Sequence, residues 1–323
     1  MRRWYGIDDV DLPGERCVVA IGVYDGVHRG HRTLIRRAVE DAAAAGQPCV
    51  VVTFDPNPAE IVRPSDPPTR LSVLAQRLEL IEECGAGATL ILPFDLEMSK
   101  ESPRQFVSEV LVGALRASAV VVGENFRFGY RASGDVASLR EFGGSSDMTV
   151  DAVPLLRQEL VGRADLPISS SEIRQLVAEG RVAAAARALA RPHRVEGPVV
   201  VGDRRGREMG FPTANVNPTR LAAIPADGVY AGRLVDSPYG DESRTLPAAI
   251  SVGNNPTFEG GERRVEAFVV GAEDLELDLY DHYVGIEFVD RIRDQQTFSG
   301  PDALAAQMHK DIDRTRHVLG LAE

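Results

Sequence analysis

The sequence predicts two folds in series: an α/β domain built on a parallel sheet, then an all-β barrel or sandwich closed by one helix. Three observations carry that prediction. From Cys17 to about Gly180, valine-rich apolar runs alternate with segments of helical period, as parallel strands joined by crossover helices do. After Ala190 the chain turns to short alternating stretches punctuated by Pro and Gly at intervals of about ten residues, the texture of an antiparallel barrel or sandwich. Finally, 323 residues is long for a single core, so two domains are expected, at residues 1–186 and 187–323.

Taken in order, the first five candidate strands are "CVVAIG", "CVVVTF", "ATLILPF", "SAVVVG" and "MTVDAVP", apolar almost throughout as strands buried on both faces are. Between them, Leu34, Ile35, Ala38 and Val39, then Leu71, Leu74, Leu78 and Ile81, then Phe106, Val107, Val110, Leu111 and Leu115 recur at helical spacing. Ser99 or Ser102 suits the cap of the third helix, and Pro103 its first turn. The alanine-rich "RVAAAARALARP" carries the boundary, where Pro192 should stop a helix. Beyond it, "GVYAGRLV", "LPAAISVG", "RRVEAFVV", "LELDLY" and "VGIEFVDRIR" read as strands, and Leu304, Met308, Ile312 and Leu319 mark a final helix.

Composition narrows the function. Lys and Arg number 36 against 48 Asp and Glu, a formal charge of −12, which opposes a duplex-binding face but leaves small anions open to a few placed cations or N–H groups. No window approaches the ~18 uninterrupted apolar residues of a membrane span, and the start of the chain lacks a signal-peptide core, so a cytoplasmic protein without membrane or nucleic-acid partners is expected. A homo-oligomer is compatible with the sequence, which does not fix the state. Cys17, Cys49 and Cys84 are few, widely spaced and odd in number, as buried reduced thiols would be.

"IGVYDGVHRGH", residues 21–31, falls where the first strand turns into the first helix, the carboxyl edge at which open α/β sheets bind ligands. Gly22, Gly26 and Gly30 allow tight turns, and His28 and His31, one helical turn apart, can both face an anion at the helix N-terminus. Metal ligation lacks a third and fourth partner of suitable spacing, and simple capping is the bland alternative; phosphate binding fits the segment best.

This stretch, with "TFDPNP" (53–58), "VGENFRFG" (122–129) and "ISSSEIR" (168–174) in the same order, resembles the bacterial bifunctional riboflavin kinase/FAD synthetase family, whose first domain is a Rossmann-like nucleotidyltransferase with an HxGH signature. The resemblance implies adenylyl transfer from ATP to FMN with Mg²⁺. It places Gly22, Tyr24, Asp25 and Gly26 at the nucleotide, His28, His31 and Asn125 at the reacting phosphates, and Ser170, Ser171 and Arg174 on the triphosphate. Phe54, Asp55, Asn57 and Phe128 become the flavin candidates; each could equally be core or turn packing. Two departures concern individual contacts: Asn57 stands where many relatives have His, and Ser171 where they have Thr.

In the second domain, "GDRRGREMGFPTAN" (202–215) closely resembles the riboflavin kinase signature of the same family. The resemblance implies an antiparallel β-barrel that phosphorylates riboflavin with ATP. Gly206 and Gly210 then belong to the nucleotide loop, Thr213 and Asn215 to Mg²⁺ and the phosphates, and Glu266 to proton removal from the attacking hydroxyl. Glu266 is read as one charge among apolar inward residues of its strand, with a solvent-facing position as the alternative. Arg291, Asp294 and Phe298 fall on the flavin side, and Asp281 replaces a usual Gly after "LDLY". The rivals are a single-activity HxGH adenylyltransferase whose second domain only binds, and a non-catalytic flavin-binding regulator with nucleic-acid affinity.

Overall fold

A computed structural model describes residues 1–12, 14–160, 163–201, 211–239, 242–254, 263–271 and 279–321. The expected strand "LELDLY" lies largely outside the described residues. Contacts divide the chain into two compact units: Met1–Pro68 with Leu74–Ser169, and Thr69–Val73 with Ser170–Glu323.

The first unit is a doubly wound sheet. Strands β1 (Arg2–Tyr5), β2 (Cys17–Ile21), β3 (Cys49–Asp55), β4 (Ala88–Pro93), β5 (Ala117–Gly123) and β6 (Thr149–Val153) lie in the order β1-β4-β3-β2-β5-β6, all parallel. Alternation along each strand feeds two cores. Val19 and Ile21 face Phe106, Leu111 and Leu139; Val18 and Ala20 face Ile35, Ala38 and Ile81. With both faces covered by helices, the strands have no polar side to show, which explains their continuous apolar runs. The short edge strand β1 is not predicted from the sequence: it has four residues, of which Trp4 alone is buried, too few for a period.

Helix α1 (Arg29–Ala45) ends at Gly46 in the left-handed region, and α2 (Pro58–Val62) follows β3. The next, α3 (Leu74–Glu82), begins at Leu74, so Leu71 packs ahead of the expected helix rather than in it. Ser102 caps α4 (Pro103–Phe106) by accepting from Gln105 N at 3.1 Å, with Pro103 in its first turn, and Val107–Ala114 continues as a π-helix. Ser99 is instead spent on the Leu96 carbonyl. After α5 (Val136–Gly144), a hairpin of β7 (Arg157–Leu160) and β8 (Arg163–Pro167) closes the unit.

The second unit opens with α6 (Ser170–Ala178) and α7 (Val182–Leu189), which stops at Ala190 before Pro192 as expected. Six strands then close a wholly antiparallel barrel, settling the choice between barrel and sandwich: β9 (His193–Val200), β10 (Thr213–Val216), β11 (Gly228–Asp236), β12 (Arg244–Asn254), β13 (Arg263–Val269) and β14 (Tyr283–Arg293), in the order β10-β13-β12-β11-β14-β9. Val195, Val216, Tyr230, Ile250, Val265, Ala267 and Ile286 fill it. Closure leaves no free edge to template aggregation. At Gly232 a Cβ would lie 2.0 Å from the Glu287 carbonyl oxygen, so the strands there approach as only glycine allows.

Helix α8 (Pro301–Leu319) lies outside the barrel, where Ile312 and Met308 meet Phe211, Phe268 and Val270. A buried ion pair pins it to β14: Arg293 gives Nε and Nη2 to Asp311 at 2.7–3.1 Å, and Gln307 donates to the same carboxylate at 2.9 Å. Asp281 adopts a φ of +63°, a left-handed conformation that Asp tolerates better than most residues.

Candidate active sites

In the first unit the sheet order reverses around β2, whose neighbours are β3 and β5. The crevice outside the carboxyl ends of such strands is where α/β sheets hold ligands. The loop after β2 carries residues 22–31, the end of β3 carries "TFDPNP", and the loop after β5 carries "VGENFRFG". Three motifs separated by up to 100 residues thus meet on three adjacent strands.

His28 caps α1, its Nδ1 accepting from the His31 backbone N–H at 3.3 Å, and is almost fully buried. A neutral ring whose Nδ1 accepts carries its proton on Nε2. The rings of His28 and His31 stack 3.6 Å apart at 19°. Tyr24 supports His31 edge-on at 5.2 Å, from a backbone φ of +52°. Its hydroxyl is buried without a hydrogen bond, and burial, with Cys49 and Cys84 nearby, pushes the phenol well above its ordinary value. A Cβ at Gly22 would come within 2.9 Å of the Tyr24 ring, so glycine there makes room for the support. Asp25 and Gly26 are buried in the same turn. Ile168, which begins "ISSSEIR", has its carbonyl 3.8 Å from where a Cβ at Gly30 would stand.

Asn125 is exposed beyond β5, its Oδ1 3.2 Å from where a Cβ at Gly123 would stand. Phe54 and Phe128 do not touch directly but belong to one aromatic row through Phe106, with centroid separations of 6.5 and 5.9 Å, which Phe94 and Phe126 extend at either end. Phe106 is read from the sequence only as core, and Phe126 not at all. Asn57 caps α2 by accepting from Ala59 N at 3.0 Å, and Asp55 pairs with Arg77 at 3.1 Å. Arg77 is missed by the sequence because it sits in an otherwise ordinary amphipathic helix.

Cys17, Cys49 and Cys84 are free and buried, and burial pushes the Cys17 and Cys49 thiols up to about 12, so they are unreactive as expected.

In the second unit Ser170 and Ser171 open α6, and Arg174 donates Nε to the Thr69 carbonyl at 2.6 Å. Gly206 and Gly210 lie outside the described residues. Within the barrel, Glu266 pairs directly with Asn215 on β10 and with Ser251 on β12. Val265 and Ala267 point into the barrel, so Glu266 faces outward, which corrects its reading as a charge among inward residues. Thr213 and Phe268 occupy the next paired position on that outward face. Asn215, Glu266 and Ser251 are half-buried, neither sunk in the core nor washed by solvent. Gln295, missed by the sequence, donates to Ser251 Oγ at 3.2 Å and to the Val252 carbonyl at 3.0 Å, laying the segment after β14 across β12.

Arg291 lies elsewhere. It pairs in register with inward-facing Tyr230, its guanidinium 5.9 Å from that ring, and donates to the Asp227 carbonyl at 2.6 Å. Asp294 is its ion-pair partner at 3.0 Å, and Phe298 lies 5.8 Å from the Arg293 guanidinium. No cluster of three or more His, Cys, Asp or Glu able to hold a metal occurs among the described residues. Nor, among them, is any helix long and apolar enough to cross a membrane.

Comparison with known proteins agrees with both halves. Residues 12–171 match the model of the FAD synthetase family, and residues 189–319 that of riboflavin kinase. The bifunctional riboflavin kinase/FMN adenylyltransferase of Escherichia coli K12 is 33% identical over 96% of this chain and 95% of its own. That of Pseudomonas fluorescens is 34% identical over 93% and 92%, and that of Bacillus subtilis 30% over 92% and 90%. A crystal structure described as a macrolide-efflux protein from Streptococcus pneumoniae superposes with a TM-score of 0.85 at 30% identity, covering 98% of this chain and 99% of that one.

Proposed function

The chain belongs to the family of bifunctional riboflavin kinase/FMN adenylyltransferases, and from that premise we propose which of its residues carry each reaction. It phosphorylates riboflavin to FMN at the expense of ATP and transfers the adenylyl group of a second ATP to FMN, giving FAD and pyrophosphate.

Adenylyl transfer belongs to the sheet unit. The observation that carries the assignment is the stacked His28–His31 pair at the head of α1, at the point where the strand order reverses. FMN phosphate attacks the α-phosphate of ATP, and negative charge builds on the leaving pyrophosphate. The His28 and His31 rings, at the positive end of the α1 dipole, meet that charge without forming a covalent bond. Gly22, Tyr24, Asp25 and Gly26 shape the turn around the nucleotide, and Asn125 reaches the reacting phosphates from the neighbouring strand. Ser170, Ser171 and Arg174 are assigned to the triphosphate on resemblance alone. Phe54 and Phe128 flank the isoalloxazine through the aromatic row, with Asp55 and Asn57 supplying the polar edge.

Riboflavin phosphorylation belongs to the outward face of the barrel. Glu266 accepts the proton of the attacking hydroxyl. The hydroxyl of Thr213 and the amide oxygen of Asn215 would offer oxygen ligands to Mg²⁺, which when bound would neutralise phosphate charge. Gly206 and Gly210 are assigned to the nucleotide loop on resemblance alone. Asp294 and Phe298 serve the flavin side, and Arg291 acts by holding Asp294. The boundary between the two activities is placed at 186/187. The location proposed is the cytoplasm, a reading that free, buried thiols and ATP dependence support.

The test is product analysis with purified protein, ATP, Mg²⁺ and either riboflavin or FMN. Riboflavin must yield FMN and then FAD. FMN accumulating without FAD would overturn the adenylyltransferase assignment, and FAD formed only from supplied FMN would overturn the kinase assignment.

A further inference from the structure

Arg77 has no part in the motifs, yet its guanidinium joins two of them. On α3 it is 5% exposed. Its Nη1 donates to the Val23 carbonyl at 2.9 Å and to the Phe54 carbonyl at 3.0 Å, and Nη2 donates to Asp55 Oδ1 at 3.1 Å. Val23 lies in the nucleotide turn after β2; Phe54 and Asp55 end β3. The Thr53 hydroxyl, fully buried, gives the Val23 carbonyl a second bond at 3.0 Å.

Desolvating a guanidinium is expensive unless its donors are met, and here one planar fork meets acceptors from two loops. Either loop could be held by its own strand alone. Bridging them makes the separation of the two loops a property of a single rigid group, whose fork loses less freedom per bond than separate side chains would. We propose that Arg77 is a positioning residue for adenylyl transfer, which fixes the distance between the nucleotide turn and the flavin loop and so the approach of the FMN phosphate to ATP. The inference rests on the assignment of residues 22–31 to nucleotide and 53–58 to flavin made above. Reacting atoms must meet within a few tenths of an ångström of their attacking geometry, and small misplacements cost rate steeply.

The experiment measures both activities of the full chain, with riboflavin phosphorylation as the internal standard for folding. Arg77→Met should lower kcat/KM for adenylyl transfer roughly 10- to 100-fold and raise KM for both FMN and ATP. Riboflavin phosphorylation should stay unchanged. Arg77→Lys, which keeps the charge but not the planar fork, should recover part of the activity, above Arg77→Met and below wild type. A residue serving stability alone would reduce the active fraction and leave both KM values where they were; that result overturns the proposal, as does a Lys variant no better than Met. Should Arg77→Met cost kinase activity too, Asp55→Asn decides: loosening the flavin loop must raise KM for ATP, and an unchanged ATP KM overturns the coupling. Phe54→Ala separates the underlying assignment. An unaltered FMN KM in that variant refutes the flavin loop itself, whereas a raised one beside unchanged Arg77 variants refutes only the positioning role.

Discussion

The two units build their reactive surfaces in opposite ways. In the sheet unit the side chains proposed to act stand at the end of β3 and on the loops that leave the carboxyl ends of β2, β3 and β5. In the barrel, Asn215, Glu266 and Ser251 stand inside three neighbouring strands, and register alone brings them side by side. Loops can hold runs of special residues because nothing else constrains them, so the sheet site is written as contiguous motifs. A strand must give every second position to the barrel core, so the strand-borne part of the proposed kinase site is written as alternate letters, Thr213 and Asn215 around Ala214 and Glu266 between Val265 and Ala267.

That contrast is open to direct attack. Glu266→Gln should lower riboflavin phosphorylation about 10²- to 10⁴-fold while leaving FAD formation from supplied FMN intact. His31→Ala should do the reverse by about 10- to 100-fold, the weight of a hydrogen bond to a charged group. Loss of both reactions in either variant would break the division between strand-borne and loop-borne sites.

A smaller effect sharpens it. If the barrel's outer face depends on α8, then Asp311→Ala, which strands Arg293 without its carboxylate, should cost about 3–5 kcal/mol of barrel stability. Urea unfolding followed by kinase activity measures this; a cost under about 1 kcal/mol would show that the pair behaves as a solvated one.

The smallest effect is pH-dependent. Burial pushes the Asp236 carboxyl upward, but hydrogen bonds from Arg244 at 2.7 Å and His282 at 2.8 Å outweigh it, and the net shift is downward. A depressed carboxyl contributes stability above its unfolded value, near pH 4, and loses it as pH falls through the folded value. The melting temperature of Asp236→Asn should therefore lie below that of wild type at neutral pH, with the gap closing in acid. A gap that does not change with pH would remove Asp236 from the account.

Much of the molecule was legible beforehand, for identifiable reasons. Four of the six sheet strands are apolar on both faces and stand out in any window; β6 carries Asp151 and is only partly buried, and β1, with only Trp4 buried, does not stand out at all. The end of α7 before Pro192 follows from the proline, and the position of α8 from its spacing. The sheet site was legible as motifs, whereas Arg77 was not, because a buried arginine leaves no trace in helical periodicity when its acceptors are carbonyls from distant segments. The sequence singles out Glu266 but its apolar surroundings suggest the inward face, whereas Val265 and Ala267 are inward and strand alternation turns Glu266 outward. Ser251 and Gln295 become visible only once β12 is paired with β13 and the segment after β14 is seen to cross it.

The packing of Gly22 beneath the Tyr24 ring, and of that ring against His31, has a consequence for sequence change over time. Positions 22, 24 and 31 form one mechanical stack: any side chain at 22 displaces the tyrosine, and any smaller ring at 24 unseats the histidine. Drift or a mutant library that samples position 22 therefore meets the tyrosine ring at the first added carbon, and one that samples position 24 acts on the histidine.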